Sequence, residues 1–196
     1  MEKDIKDNFD LYVPIINKIK DLLANGCVVV AIEGGSASGK TTLSMLLEEI
    51  FDCTVFHMDD FFLRPEQRTI ERLMEVGGNI DRERFIEEVL SNLKNNEVVS
   101  YRKFDCITMS LSNFQTVKIK KLVIVEGVYS MHPDFKKYYD LSVLLDIPSH
   151  LHKDRINQRN SQQLAKRFFS EWIPLENLYF EKMGIKNNCD LKVNII

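Results

Sequence analysis

Eight consecutive residues, Gly34-Gly35-Ser36-Ala37-Ser38-Gly39-Lys40-Thr41, follow the pattern G-x-x-x-x-G-K-[ST]. Each conserved place in that pattern has a physical use at a phosphate. The glycines let the backbone curl until successive N–H groups face one anion. A helix starting near Gly39 would add its positive end at the same point. The Lys40 ammonium is long enough to reach β- and γ-phosphates, and the Thr41 hydroxyl can ligate Mg²⁺. Thr42, in the same first turn, is counted with the nucleotide site. The competing reading is a chance Gly/Ser-rich turn. It loses because a buried strand precedes the segment and a helix follows it.

Two further acids stand where such a site needs them. In His57-Met58-Asp59-Asp60-Phe61-Phe62, adjacent carboxylates follow a short strand. Buried and unpaired they would be costly. Beside a metal, or as a base for an acceptor hydroxyl, they make sense. Neighbours on an extended chain face opposite ways, so only one need enter the site. Leu122-Val123-Ile124-Val125-Glu126-Gly127 is an apolar strand ending in an acid, which would deliver a carboxylate beside the metal. Farther on, 149–170 carries Lys153, Arg155, Arg159, Lys166 and Arg167 against one acid, Asp154. Arg155 and Arg159 are four apart and share one helix face. Such a segment can close over a triphosphate and stabilise the charge in transfer; a solvated charged helix is the alternative.

The elements that must position these residues are legible as alternation. Helical spacing runs over 5–23 (Ile5, Phe9, Tyr12, Val13, Ile16, Ile19, Leu23) and stops at Asn25-Gly26. Cys27–Glu33, 54–58, 122–125 and 141–147 read as short buried strands, and 191–196 as a last one. Helices are expected over 41–51, 66–76, 82–95, 149–160 and 165–183. Between Val98 and Lys120 short antiparallel pieces are expected. Buried strands alternating with helices imply an α/β fold, a three-layer α/β/α sandwich around a parallel central sheet. Ligands in such sheets bind beyond the carboxyl ends of the strands, which puts the loops after Glu33, Met58 and Val125 together.

Size and composition narrow the partners. The chain has 196 residues, 44% hydrophobic and 28% charged, the balance of one globular domain. A net charge of −3 provides no global basic field for a nucleic acid. No apolar run approaches the roughly 20 residues that span a bilayer. The mixed N-terminus is unlike a secretory signal. The four scattered cysteines suggest neither a metal cluster nor a disulfide scaffold. They are read as reduced thiols in the cytoplasm.

With these parts placed, the sequence resembles the uridine kinase family, in a superfamily that also holds nicotinamide riboside kinase, pantothenate kinase and phosphoribulokinase. The resemblance runs from about Val28 to Asp190. Its matching stretches are Ile32–Leu43, His57–Leu63, Gly77–Phe85, Val123–Tyr129 and Glu171–Asn177. It implies a P-loop kinase fold over 1–196, with an N-terminal helix in 1–26 and a helical lid at about 149–170. It also implies ATP and Mg²⁺, and transfer to a nucleoside 5′-hydroxyl. By the same resemblance Asp59 is the base, Glu126 helps Thr41 to hold the metal, and Asp81 accepts from ribose hydroxyls. Arg155, Arg159 and Arg167 fall among lid arginines. Uridine-cytidine kinases read the base with a Tyr-Asp pair and a histidine five residues after the tyrosine. Phe104-Asp105 and Met109 stand at those places here, so weak selection at the base is expected, with Tyr101 and Phe104 in the acceptor pocket.

Two alternatives remain open on the residues alone. One keeps the chemistry and changes the acceptor to nicotinamide riboside or a pantothenate-like alcohol. The other is a nucleotide-dependent switch. A GTPase would show Asn-Lys-x-Asp after a later strand, and the only Asn-Lys pair, Asn17-Lys18, precedes the phosphate loop. The oligomeric state is left open, a homo-oligomer included.

Overall fold

The computed structural model describes residues 2–94 and 96–196, with side chains from Phe9 onward. The side chain of Ile5, expected on the first helix's apolar face, and residue Asn95, the expected end of the 82–95 helix, lie outside that description.

Helix α1 (Glu2–Leu23) leads to β1 (Val28–Gly34), α2 (Lys40–Ile50) and β2 (Cys53–His57). Two short helices, α3 (Ile70–Met74) and α4 (Arg82–Glu88), come next. Two small antiparallel pairs follow: β3 (Val98–Tyr101) with β6 (Gln115–Lys118), enclosing β4 (Phe104–Asp105) with β5 (Ser110–Leu111). Then come β7 (Leu122–Glu126), β8 (Leu141–Asp146), α5 (Ser149–Arg159), α6 (Gln162–Arg167), α7 (Ile173–Lys182) and β9 (Leu191–Asn194).

The central sheet is parallel, in the order β2-β7-β1-β8-β9. Its middle strands β1 and β7 are buried throughout, which is why they read as unbroken apolar runs. Side chains alternate across the sheet and feed two cores. Val30, Ile32, Ile124 and Val143 pack beneath α1 and α2, whereas Val29, Ala31, Val123 and Val125 pack with Phe85, Phe135 and Tyr179 on the other face. This is the expected three-layer α/β/α arrangement. Because the strands are parallel, the ends of β1, β2 and β7 reach one edge together.

Three boundaries differ from the sequence reading. The helix expected over 66–76 shrinks to α3, because Pro65 opens a separate turn and Thr69 caps a new start through its hydroxyl and the Arg72 N–H. The 82–95 helix stops at Glu88, where the Asn92 amide donates to the carbonyls of Glu87 and Glu88. The 165–183 helix is interrupted by a π-turn over Phe168–Trp172. Pro174 lacks an N–H at the second position of α7, so the regular ladder cannot run through it.

Candidate active site

The phosphate loop joins β1 to α2. Gly34 (φ 155) could carry no side chain, since a Cβ there would lie 2.5 Å from the Ser38 hydroxyl and 2.7 Å from the Leu145 carbonyl. Gly39 precedes α2 in the left-handed region (φ 103) and, lacking a side chain, gives the helix start no side-chain cap. The first N–H groups of an eleven-residue helix therefore point at the loop with no acid among them. Lys40, buried, folds back to donate to the carbonyls of Gly34 (2.9 Å) and Gly35 (3.0 Å). The Ser38 hydroxyl is buried without a hydrogen-bond partner among the described residues. The N–H groups at the start of α2 and the Lys40 ammonium on one concavity suit a polyphosphate.

Beyond the loop, the acids of β7 and of the β2 end converge. Glu126 Oε1 accepts from the Thr41 hydroxyl at 3.3 Å and lies 2.6 Å from His57 Nδ1. His57 and Glu126 are register partners across parallel strands. The hydrogen bond to Glu126 raises the His57 pKa above its ordinary value, although burial opposes it. Asp59 lines the same cavity as Lys40 and Glu126. Burial raises its pKa, with Lys40 pulling the other way. Asp60 turns aside to Lys103 at 3.0 Å. The two neighbouring carboxylates therefore face different surroundings. Thr41 and Glu126 offer the hard oxygen donors that Mg²⁺ takes together with phosphate oxygens and water.

The cavity, about 770 Å³, is lined by the phosphate loop and Asp59 and also by the apolar side chains of Phe62, Leu73, Met109 and Trp172. The residues expected to hold the acceptor are mostly not on its wall. Asp81 is buried as the cap of α4, accepting from the Arg84 N–H (3.2 Å) and Arg84 Nε (3.1 Å). Tyr101 packs edge-on to Phe56 and stacks on Phe61, and burial pushes its phenol up to about 12. Phe104 is buried beneath the Arg68 guanidinium. Asn79, two residues before Asp81, reaches the cavity instead, hydrogen-bonded to Tyr129.

Of the expected lid arginines, Arg159 and Arg167 line the cavity. Arg155 approaches the Ala37 carbonyl at 3.5 Å, on the loop itself. Arg167 is exposed, pairs with Glu171 at 3.0 Å and lies over the Trp172 ring. Ser36, Ala37, Gly39, Lys40, Thr41 and Thr42 line the phosphate end. Gly35 contributes to a second cavity behind the loop.

Three polar residues escaped the sequence reading. Glu176, buried, accepts from both the N–H and the hydroxyl of Ser36, clasping α7 to the loop. Glu33, fully buried at the end of β1, accepts from Gly34 N–H, Met131 N–H and the Tyr179 hydroxyl. Burial pushes its carboxyl up to about 7 despite those donors. Both acids occur inside stretches that carry the family resemblance, but their partners are far away in sequence. His57 sits beside Asp59 and could have been flagged by the same motif.

A search against family models matches residues 29–167 to the description "Phosphoribulokinase / Uridine kinase family". A uridine kinase of Chlamydia pneumoniae is 28% identical over 129 residues, covering 61% of this chain and 57% of that protein. A uridine kinase of Haemophilus influenzae (strain PittEE) is 25% identical over 154 residues, 71% of each chain. The chain spans little more than half the length of the Chlamydia relative and 26% of a uridine kinase-like protein of Arabidopsis thaliana. Among solved structures, a possible uridine kinase from Bacillus stearothermophilus superposes with a TM-score of 0.71 at 22% identity, over 95% of this chain and 99% of that one, a likeness of fold. The match over most of the chain, on a parallel sheet beyond whose strand ends Lys40, Asp59 and Glu126 share one cavity, means that the chain belongs to the Phosphoribulokinase / Uridine kinase family.

Proposed function

We propose that the protein transfers the γ-phosphoryl group of ATP to the 5′-hydroxyl of a nucleoside. The observation that carries this reading is one cavity lined both by the phosphate loop and by Asp59. The backbone N–H groups of the loop and α2 hold the phosphates, and Lys40 leaves its loop carbonyls to neutralise charge on them. Asp59 orients the acceptor hydroxyl and receives its proton as the bond to phosphorus forms. Thr41 and Glu126 would hold Mg²⁺, which when bound offsets the charge of the phosphate oxygens. Arg159 and Arg167 stabilise the phosphoryl group from the lid side and exclude water. The site serves a small molecule rather than a nucleic acid. Among the described residues no helix is long and apolar enough to cross a membrane. The four cysteines are free thiols, which suits a reducing cytoplasm.

The test is ADP release measured against a panel of nucleosides and small alcohols, with Asp59→Asn as control. Nucleoside-dependent turnover that Asp59→Asn abolishes supports the reading. Turnover only with a non-ribose alcohol removes the nucleoside and keeps the kinase.

A further inference from the structure

The segment 64–102 carries six arginines, and all but one are neutralised by acids. Arg64 pairs with Glu66 (3.2 Å), Arg72 with Glu83 (2.8 Å), Arg82 with Glu75 (2.7 Å) and Arg84 with Asp81 (3.1 Å). Arg102 pairs with Glu88. Arg68 is the exception: among the described residues no carboxylate lies within ion-pair distance of it. Its Nε and Nη2 both donate to the Leu63 carbonyl at 3.0 Å, and its guanidinium lies 5.6 Å from the Phe104 ring centroid. These contacts fix the plane of the group and commit two of its five N–H donors, leaving the others for a ligand. Arg68 lines the cavity that Asp59 also lines, and Cys106 lies within electrostatic reach of both. Nearby Phe104 and Met109 bring no hydrogen-bonding group of comparable strength.

We infer that Arg68 selects the acceptor by the chemistry of the end remote from the transferred phosphoryl group: it takes a nucleoside whose base presents carbonyl oxygens and rejects a cationic riboside. The inference rests on the nucleoside-kinase reading and narrows it. A fixed guanidinium donates charge-assisted hydrogen bonds to oxygen acceptors. The same positive charge, uncompensated by the protein, repels a pyridinium ring, which is selection by an unfavourable contact with the wrong ligand. An oxo-pyrimidine matches both requirements. A carboxylate-bearing alcohol offers the same oxygens, so the test must separate it.

Binding is measured by calorimetry on the full chain with Mg²⁺ and a non-hydrolysable ATP analogue, using uridine, nicotinamide riboside and pantothenate, for the wild type, Arg68→Gln and Arg68→Lys. Uridine should bind the wild type best. Arg68→Gln should weaken uridine binding about tenfold or more, the scale of a charged hydrogen bond, and Arg68→Lys should recover part of it. Nicotinamide riboside should bind Arg68→Gln more tightly than the wild type, an inversion that a damaged loop would not produce. In steady-state assays the loss with uridine should appear in KM more than in kcat. Equal weakening for all three ligands, or no change for uridine, overturns the inference. Preferential binding of pantothenate overturns the choice of an oxo-base. If uridine binds in an Arg68-dependent way but is not phosphorylated while another acceptor on the panel is, Arg68 does not select the acceptor and the inference falls, whereas the kinase reading stands. If uridine does not bind the wild type, the inference falls, and turnover of the wider acceptor panel judges the kinase reading separately.

Discussion

The Thr41 hydroxyl lies 3.3 Å from Glu126 Oε1, joining the first turn of α2 to the end of β7 across 85 residues of sequence. His57 holds the same oxygen at 2.6 Å, so the carboxylate is oriented from both sides. We expect Glu126→Gln to raise the Mg²⁺ concentration needed for half-maximal turnover and to lower kcat about a hundredfold, the scale of one lost electrostatic contact in a transition state. A Mg²⁺ titration of wild type and variant measures this. An unchanged Mg²⁺ dependence would remove Glu126 from the metal site.

Lys40→Ala should leave the fold intact and reduce turnover by about two to three orders of magnitude, because the positive end of α2 alone cannot match an ammonium against the phosphate charge. Circular dichroism and single-turnover kinetics on the same preparation check it. Near-normal turnover in a folded variant contradicts the phosphate-loop assignment.

Asp59→Asn should retain nucleotide binding and lose about two orders of magnitude in kcat. Asp60→Asn should lose much less, since Asp60 is paired with Lys103 outside the cavity. A base must be ionised to accept a proton, and burial raises the pKa of Asp59. The acid limb of the kcat/KM profile should therefore lie above that of an ordinary aspartate and vanish with the asparagine. Equal losses in the two variants would show that the opposed orientations have no catalytic meaning.

Both Arg159 and Arg167 line the cavity, so on the proposed function Arg159→Ala and Arg167→Ala should lower kcat more than they raise the KM for ATP. If Arg167 acts on the phosphates as proposed, it must give up its partner Glu171, so Glu171→Gln should ease that exchange and lower the KM for ATP. Steady-state kinetics with ATP varied distinguish the cases. A pure loss of ATP affinity would make either arginine a ground-state clamp.

Glu33 gives a stability prediction whose sign is fixed by linkage. Its carboxyl has an ordinary value of 4.5 and is pushed up to about 7 by burial in the folded protein. Between those values the folded state binds more protons than the unfolded chain, so stability from this group falls as pH rises from about 4.5 to 7. Melting temperatures of wild type and Glu33→Gln across that range should differ in slope, with the flatter curve for the variant. Parallel curves would mean that the three donors keep Glu33 ionised throughout.

The phosphate loop, the acid at the end of β7, the acids after β2 and the order of strands and helices were legible in sequence because each depends on neighbours. A glycine pattern sets the loop's backbone, and an unbroken apolar run marks a strand buried on both faces. Helix breaks were less legible. Pro174 is visible, but the π-turn before it depends on how α6 and α7 dock. The acceptor end was least legible. Asp81 and Phe104 sit where the family resemblance directs attention, yet folding commits one to Arg84 and buries the other under Arg68. Whether a polar group faces a ligand or a partner depends on which distant groups compete for it, and a buried acid takes the nearest cation. The pairings Glu176–Ser36, His57–Glu126 and Glu33–Tyr179 join residues 69 to 146 positions apart. Strand register and the docking of α7 decide those contacts, and with them which charges are left for a substrate.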